Sequence, residues 1–222
     1  MKPRRRTGLA PEGAGIIFVS MALVIAAVLY SISAGGGRGL WLPAIAAVWF
    51  LAVVQFFRDP ERHPPGGSNL VLAPADGKII VAGAMEKTDD SDPGIQVSIF
   101  MSPINVHVNR SPVTGEIKRV EHRSGKFVSA FKPEASRINE QTEVALATKH
   151  GTVTMKQIAG FLARRIVFHP KPGDRLSAGA RVGMIRFGSR VDIHLPGTVE
   201  LRIKVGDRVT AGETIIGEFK IA

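Results

Sequence analysis

The chain has 222 residues, room for one medium domain and an appendage. It has no cysteine, which excludes disulfides, thiolate metal sites and cysteine nucleophiles. The formal charge of +10 divides into +4 over residues 1–62 (seven Lys/Arg against three Asp/Glu) and +6 over the remainder (22 against 16). That balance suits an anionic membrane surface, whereas a nucleic-acid partner is disfavoured by the lack of Trp or Tyr beyond Trp49 and of any recognition motif.

Two apolar blocks open the chain, Gly15 to Ala34 and Leu40 to Phe57. Each has about 18–20 residues, enough to cross a hydrocarbon core of about 30 Å as a helix. The link Gly35-Gly36-Gly37-Arg38-Gly39 allows only a tight reversal, so residues 1–62 are expected to form a membrane anchor of two transmembrane helices, about 15–34 and 40–57. Lys2, Arg4, Arg5 and Arg6 precede the first span and Arg58 and Arg62 follow the second, against Arg38 alone in the loop. The positive-inside rule therefore puts both ends, and the domain beyond, on the cytoplasmic side. A signal peptide cleaved after Ile32-Ser33-Ala34 is the competing reading, against which stand the length of the first block and the second span at once after it.

The Pro/Gly-rich run from Asp59 to Gly67 marks a boundary. Beyond it, short strands separated by turns are predicted at 70–72, 78–82, 95–100, 106–108, 115–122, 143–149, 151–158, 181–187, 191–195, 197–203 and 214–220, with helix only at 133–141 and 160–168. The fold class is therefore mostly β. An internal repeat sharpens it: Lys171-Pro172-Gly173-Asp174-Arg175-Leu176-Ser177-Ala178-Gly179 matches Lys204-Val205-Gly206-Asp207-Arg208-Val209-Thr210-Ala211-Gly212. The pattern resembles the barrel-sandwich hybrid of lipoyl and biotinyl carriers, without the lysine-tipped hairpin a swinging arm needs.

Several segments carry chemistry-bearing residues. Gly188-Ser189 is either a turn or the site of an internal acyl shift, in which the Ser189 hydroxyl attacks the Gly188 carbonyl, β-elimination cuts the chain, and a pyruvoyl group is left on the new N-terminus. His194 lies on the opposite strand face from Val191, Ile193 and Leu195, as a solvent-facing histidine or a partner for Ser189. Asp76, in Ala73-Pro74-Ala75-Asp76-Gly77-Lys78, is either a turn aspartate bonding its own backbone or a carboxylate that orients a base. From Phe100 to Pro112, alternation points Ile104, Val106 and Val108 inward and aligns Asn105, His107 and Asn109 as a site or a wet sheet face. His63, His150 and His169 sit in loops, and no two histidines have metal-ligand spacing.

Taken in order, Phe57-Arg58-Asp59-Pro60-Glu61-Arg62, Pro74-Ala75-Asp76-Gly77, Phe100-Met101-Ser102-Pro103-Ile104-Asn105-Val106-His107, Asn139-Glu140 and Phe187-Gly188-Ser189 make the chain resemble the short bacterial form of phosphatidylserine decarboxylase, from Pro60 to the C-terminus. The resemblance implies a barrel-sandwich-hybrid-like catalytic domain over 63–222, cut autocatalytically between Gly188 and Ser189 into a β chain, 1–188, and an α chain, 189–222, that stay associated. It implies a pyruvoyl group made from Ser189 as cofactor, with no metal and no pyridoxal phosphate. The group forms a Schiff base with phosphatidylserine, which loses CO2 to give phosphatidylethanolamine at the inner membrane. Asp76 matches the family's triad aspartate, and His107 matches a histidine implicated in decarboxylation. Arg110 stands where longer members have a second histidine serving self-cleavage, so either His107 covers both tasks or another histidine, such as His122, substitutes. Lys126, Lys132, Arg137 and Arg164 are candidates for the phosphodiester. The alternatives are a decarboxylase of a related amino-acid-headed lipid of the archaetidylserine type, and a membrane-anchored barrel-sandwich adaptor without catalysis. A higher homo-oligomer is compatible with either.

Overall fold

Continuous apolar sequence builds two helices at the N-terminus, in a computed structural model that describes residues 8–34, 39, 41–85, 94–161, 165–186 and 189–220. Lys2, Arg4, Arg5, Arg6, Arg38, Arg164 and Gly188 lie outside the described residues. The chain divides into two units, Met1–Glu61 and Arg62–Ala222.

In the first unit, a 3-10 turn at Pro11–Gly13 leads into α1 (Ala14–Ser33). Proline suits this entry because its missing N–H is one that a helix start leaves unbonded anyway. The span Pro11–Ser33 has 23 residues, about 34 Å of helix. The second helix, α2 (Trp41–Phe56), has 16 residues, about 24 Å, shorter than its apolar block. By length and composition, then, α1 is the one helix among the described residues long and apolar enough to cross a hydrocarbon core of about 30 Å. Large apolar side chains point outward on both helices, among them Phe18, Leu29, Ile32, Trp41, Val48 and Leu51. Small residues lie between the helices: Ser20 and Ser31 are buried, and a Cβ on Gly39 would sit 3.4 Å from the Ser31 backbone. Apolar outside and small inside is the pattern of helices packed in lipid.

The second unit is mostly β. Its strands are β1 (Leu70–Leu72), β2 (Gly77–Ala84), β3 (Gly94–Met101), β4 (Val108–Arg110), β5 (Gly115–Arg123), β6 (Gln141–Thr148), β7 (Gly151–Ala159), β8 (Arg165–Phe168), β9 (Arg175–Leu176), β10 (Arg181–Arg186), β11 (Ser189–Pro196), β12 (Val199–Leu201), β13 (Arg208–Val209) and β14 (Ile215–Phe219). An eight-stranded sheet runs β13-β2-β3-β11-β7-β6-β5-β9, and two three-stranded sheets run β1-β14-β12 and β4-β10-β8. Alternate residues of the large sheet, including Ile79, Val97, Ile99, Val144, Met155, Val191 and Ile193, fill one buried core. The period of two is that of a sheet with one face on a core.

The two predicted helices are largely lost. Only Ala135–Ile138 of the first is helical (α3). In the second, Arg165–Phe168 is strand β8, because pairing with Arg186–Gly183 satisfies its backbone and outweighs local helix propensity.

The repeat folds as two matching turns. Lys171 N–H donates to Asp174 Oδ2 at 2.8 Å and Lys204 N–H to Asp207 Oδ2 at 2.9 Å. Gly173 and Gly206 take φ of +93° and +102°, which a side chain would strain. The short strands that follow pair with β5 and β2 respectively. The pseudo-symmetry extends further than the sequence match: Arg110 N–H donates to Pro74 O at 2.9 Å, and Leu72 N–H to Pro112 O at 2.8 Å. Ala73-Pro74-Ala75-Asp76-Gly77 and Ser111-Pro112-Val113-Thr114-Gly115 are thus equivalent pieces of a duplicated unit.

Gly183 lies where β10 crosses β8, and a Cβ there would stand 1.9 Å from Val167 O. Gly183→Ala is expected to cost about 2–3 kcal/mol through forced backbone displacement. Gly83→Ala, with open space at its Cβ, should be near neutral. Urea unfolding of the two variants side by side checks this, and equal midpoints would refute it.

Candidate active site

Strand β11 lies inside the large sheet, paired with β3 from Ser189↔Met101 to Pro196↔Gly94 and with β7 from Ser189↔Ala159 to His194↔Thr154. The two-residue period puts Ser189 on the same face as Val191 and Ile193, towards the core, and it is fully buried. Its hydroxyl donates to Met101 Sδ at 3.2 Å. Asn109 Nδ2 reaches the same sulfur at 3.7 Å, and Gln157 Nε2 donates to Asn109 Oδ1 at 2.8 Å. A thioether is a weak acceptor, so the Ser189 hydroxyl is held loosely in a dry setting.

His107 is fully buried, two residues before Asn109 in the chain. Its Nδ1 lies 2.9 Å from Asn105 O. A carbonyl only accepts, so Nδ1 carries the proton, and the neutral ring then bears its lone pair on Nε2. Ile185 N–H donates to His107 O at 3.3 Å, tying the histidine to β10, the strand that runs towards Ser189. The expected alternation through this stretch fails. The segment before Val108 is a turn rather than a strand; Ile104 is exposed, while Val106, His107, Val108 and Asn109 are all buried. Asn109 faces the large sheet instead of solvent, against Gln157 of β7 and Met101 of β3.

Asp76 has partners other than a histidine. Arg62 Nη2 donates to Oδ1 at 3.0 Å and to Oδ2 at 2.8 Å, and Ala211 N–H donates to Oδ1 at 2.8 Å. Among the described residues no histidine bonds to it. The contact with Ala211 is the counterpart of Ala178 N–H on Thr114 Oγ1 at 3.0 Å in the other half of the repeat. Closing a turn is therefore one duty of Asp76, and the bond to Arg62 is what distinguishes it from Thr114. Arg62 also pairs with Glu213 at 3.2 Å. The His63 N–H, with Arg62 nearby, holds the Glu213 carboxyl below its usual range.

The sheet keeps the other candidates apart. His122 ends β5, with Nδ1 3.1 Å from Thr142 Oγ1 and Nε2 3.8 Å from Glu140. Strands β6 and β7 intervene between it and β11, about 14 Å along the sheet. His194 is five residues down β11, about 17 Å from Ser189; burial lowers its pKa, with Lys156 adding to the effect. Neither is brought to Ser189. Arg110 is buried, donates to Gly179 O at 3.1 Å, and packs against Gly212, so it clamps the closing glycines of the two repeats.

Sequence reasoning missed four participants. Arg62 enters the sequence reading as a flanking cation and as a motif residue, and Met101 as a motif residue, neither with a role at the site. Gln157 carried a legible signal: it is the one polar residue among inward positions Val153, Met155, Gln157 and Ala159. The fourth is the buried pair of Arg190 with Asp192, to which Ser98 adds a hydroxyl 3.0 Å from Arg190. It stiffens β11 one residue past Ser189, on the sheet's other face.

The family profile of phosphatidylserine decarboxylase matches residues 49–217. The phosphatidylserine decarboxylase proenzyme of Chlorobium chlorochromatii (strain CaD3) is 46% identical over 180 residues, 81% of this chain and 85% of that one. The proenzyme of the same name from Chlorobaculum tepidum is 40% identical over 210 residues, 95% and 97% of the two chains. With the profile spanning most of the chain, and with relatives this similar along most of their length, the chain belongs to the phosphatidylserine decarboxylase family.

Proposed function

We propose that this protein is a self-processing, membrane-anchored decarboxylase that converts phosphatidylserine to phosphatidylethanolamine. The observation that carries the reading is Ser189, buried at the head of β11 with a loosely held hydroxyl, in a chain whose relatives are proenzymes. Apolar helix α1, with α2 after it, supplies the anchor, and the cation bias of the flanks supports a catalytic unit on the cytoplasmic side.

In the processing step, Ser189 Oγ adds to the Gly188 carbonyl carbon and the amide C–N bond breaks, giving an ester and a free amine at residue 189. His107 is the assigned base: Nε2 takes the hydroxyl proton and returns it to the departing nitrogen. β-Elimination then gives up the Cα proton of residue 189 to a base and breaks the Cβ–Oγ bond, leaving Gly188 as a carboxylate and residue 189 as dehydroalanine. Hydrolysis of the latter, with loss of ammonia, yields the pyruvoyl ketone.

The residues present fit that group, since its precursor is Ser189 itself and the surrounding Met101, Ala159, Asn109 and Gln157 exclude water. The group supplies a ketone for the headgroup amine and an electron sink as CO2 departs. His107 is the candidate for protonating the carbon that loses CO2. Asn109, held by Gln157, is the polar side chain that faces the same space.

Association of the two chains follows from the topology. The α chain, 189–222, would contain β11, β12, β13 and β14, bound edge to edge to β3, β7, β2 and β1 of the β chain. The Arg62, Asp76 and Glu213 cluster crosses the same divide, as does Ala211 N–H on Asp76. In this assignment Asp76 is a positioning residue rather than the histidine's partner.

The intact mass of the purified protein tests the reading. Two chains of 188 and 34 residues (222 − 188) are expected, the small one bearing a hydroxylamine-reactive ketone, while Ser189→Ala stays one chain. A wild-type chain that is folded and uncut would sink the proposal. For His107→Asn, cleavage followed over time should slow by about 10²–10⁴-fold, the usual worth of a positioned base; wild-type kinetics would remove His107 from that role. Arg62→Met leaves Asp76 charged and half-paired, with an expected loss of about 2 kcal/mol in chemical denaturation. A loss below about 0.5 kcal/mol would show the pair to be no stronger than an ordinary surface contact.

A further inference from the structure

One end of the large sheet is marked by the row Met101, Ser189, Ala159 and, on the next strands, Gln141 and Arg123. Three segments that leave the sheet beyond this row, after Met101, Arg123 and Ala159, carry large apolar side chains into solvent. Ile104 is 76% exposed, Phe131 62% and Phe161 72%, with Phe127 and Ile138 also classed as exposed. Phe131 is held rather than loose, edge-on to Phe100 at 5.6 Å between ring centres. Asn139 fixes the base of its segment, bonding Val128 in both directions and donating to Ala159 O at 2.7 Å. Exposed aromatics on an ordered, pinned segment form an interaction surface.

Its charge identifies the occupant. From Arg123 to Asn139 the chain carries Arg123, Lys126, Lys132 and Arg137 against Glu134 alone, and all four cations are exposed. Apolar tips ringed by cations match the interface of an anionic bilayer. Chain connectivity points the same way. Arg62, six residues after the end of α2, is held at this end of the sheet by Asp76, just ahead of Gly77. Six residues reach about 20 Å at most, so a bilayer that holds α2 lies within that distance of Arg62.

We propose that this end of the catalytic unit docks on an anionic bilayer, with Ile104, Phe131 and Phe161 entering the interface and the surrounding cations on the headgroups, so that a lipid headgroup reaches Ser189 without leaving the membrane. The inference deepens the lipid-decarboxylase reading and rests on it.

The absence of cysteine permits a clean test. Phe131→Cys in the full chain takes a single nitroxide label, and Lys149→Cys, in the β6–β7 turn at the far end, serves as control. In nanodiscs containing phosphatidylglycerol, the label at 131 should be at least several-fold more accessible to oxygen than to an aqueous nickel complex. That ratio should fall in pure phosphatidylcholine or high salt, and the label at 149 should stay aqueous throughout. Aqueous exposure at both positions in anionic discs would overturn the proposal. So would shielding at 131 in detergent accompanied by a dimer mass, since a second copy would then cover the face.

A kinetic arm separates this from the underlying reading. The Phe131→Asp/Phe161→Asp double variant, once shown to self-cleave normally, should lose at least tenfold in kcat/KM on vesicle phosphatidylserine and nothing on a soluble short-chain phosphatidylserine. Equal values on vesicles overturn docking. Failure of the wild type to decarboxylate the soluble substrate would instead overturn the lipid-decarboxylase reading.

Discussion

The rest of the structure depends on β11 being hydrogen-bonded on both sides. A strand between β3 and β7 has its backbone donors and acceptors satisfied along its length, and its odd-numbered side chains are fixed in the core. In the proposed reaction this lets a peptide bond at the strand's head be cut without releasing the strand. The cut removes one covalent link, while the ladders to β3 and β7, and the burial of Val191, Ile193 and Leu195, remain. The same constraint puts Ser189 in a dry environment, where a weak thioether acceptor leaves its hydroxyl ready to change partner.

A duplicated turn carries the site's outer support. Asp76 and Thr114 occupy equivalent places and accept equivalent N–H groups, from Ala211 and Ala178. The two halves diverge in what else they hold. Thr114 is neutral, and its half has no counterpart of Arg62. Asp76 brings a negative charge, which the bidentate arginine neutralises at 2.8 and 3.0 Å in a partly buried setting. A structural turn thus becomes an electrostatic tie between the first residues of the catalytic unit and its C-terminal segment, with Glu213 as the second anchor. Arg110, bridging towards the closing glycines, has the same character. It links the closing glycines of the two repeat copies, Gly179 and Gly212.

Histidines show how far spacing alone can mislead. Two intervening strands separate His122 from Ser189, and five strand residues separate His194 from it. His107 is tied to β10 through the Ile185 N–H, beside a third sheet that no local pattern announces. Asn109, which alternation puts in a site or on a wet sheet face, is buried against Gln157 of β7 and Met101 of β3.

From the sequence alone came the apolar N-terminus, the mostly-β class, most strand positions, the Lys-x-Gly-Asp repeat and the candidacy of Ser189, Asp76 and His107. These are legible because hydrophobic period, turn glycines and motif order are local properties of the chain. Only the tertiary structure decided that Asp76 is held by Arg62 and Ala211, that Asn109, Gln157 and Met101 gather at Ser189, and that His122 stands apart. It also replaced a predicted helix by β8, and brought exposed apolar side chains from three segments to the Ser189 end of the sheet. Each of these rests on contacts between residues far apart in the chain. They are set by strand order and register, which no short window of sequence contains.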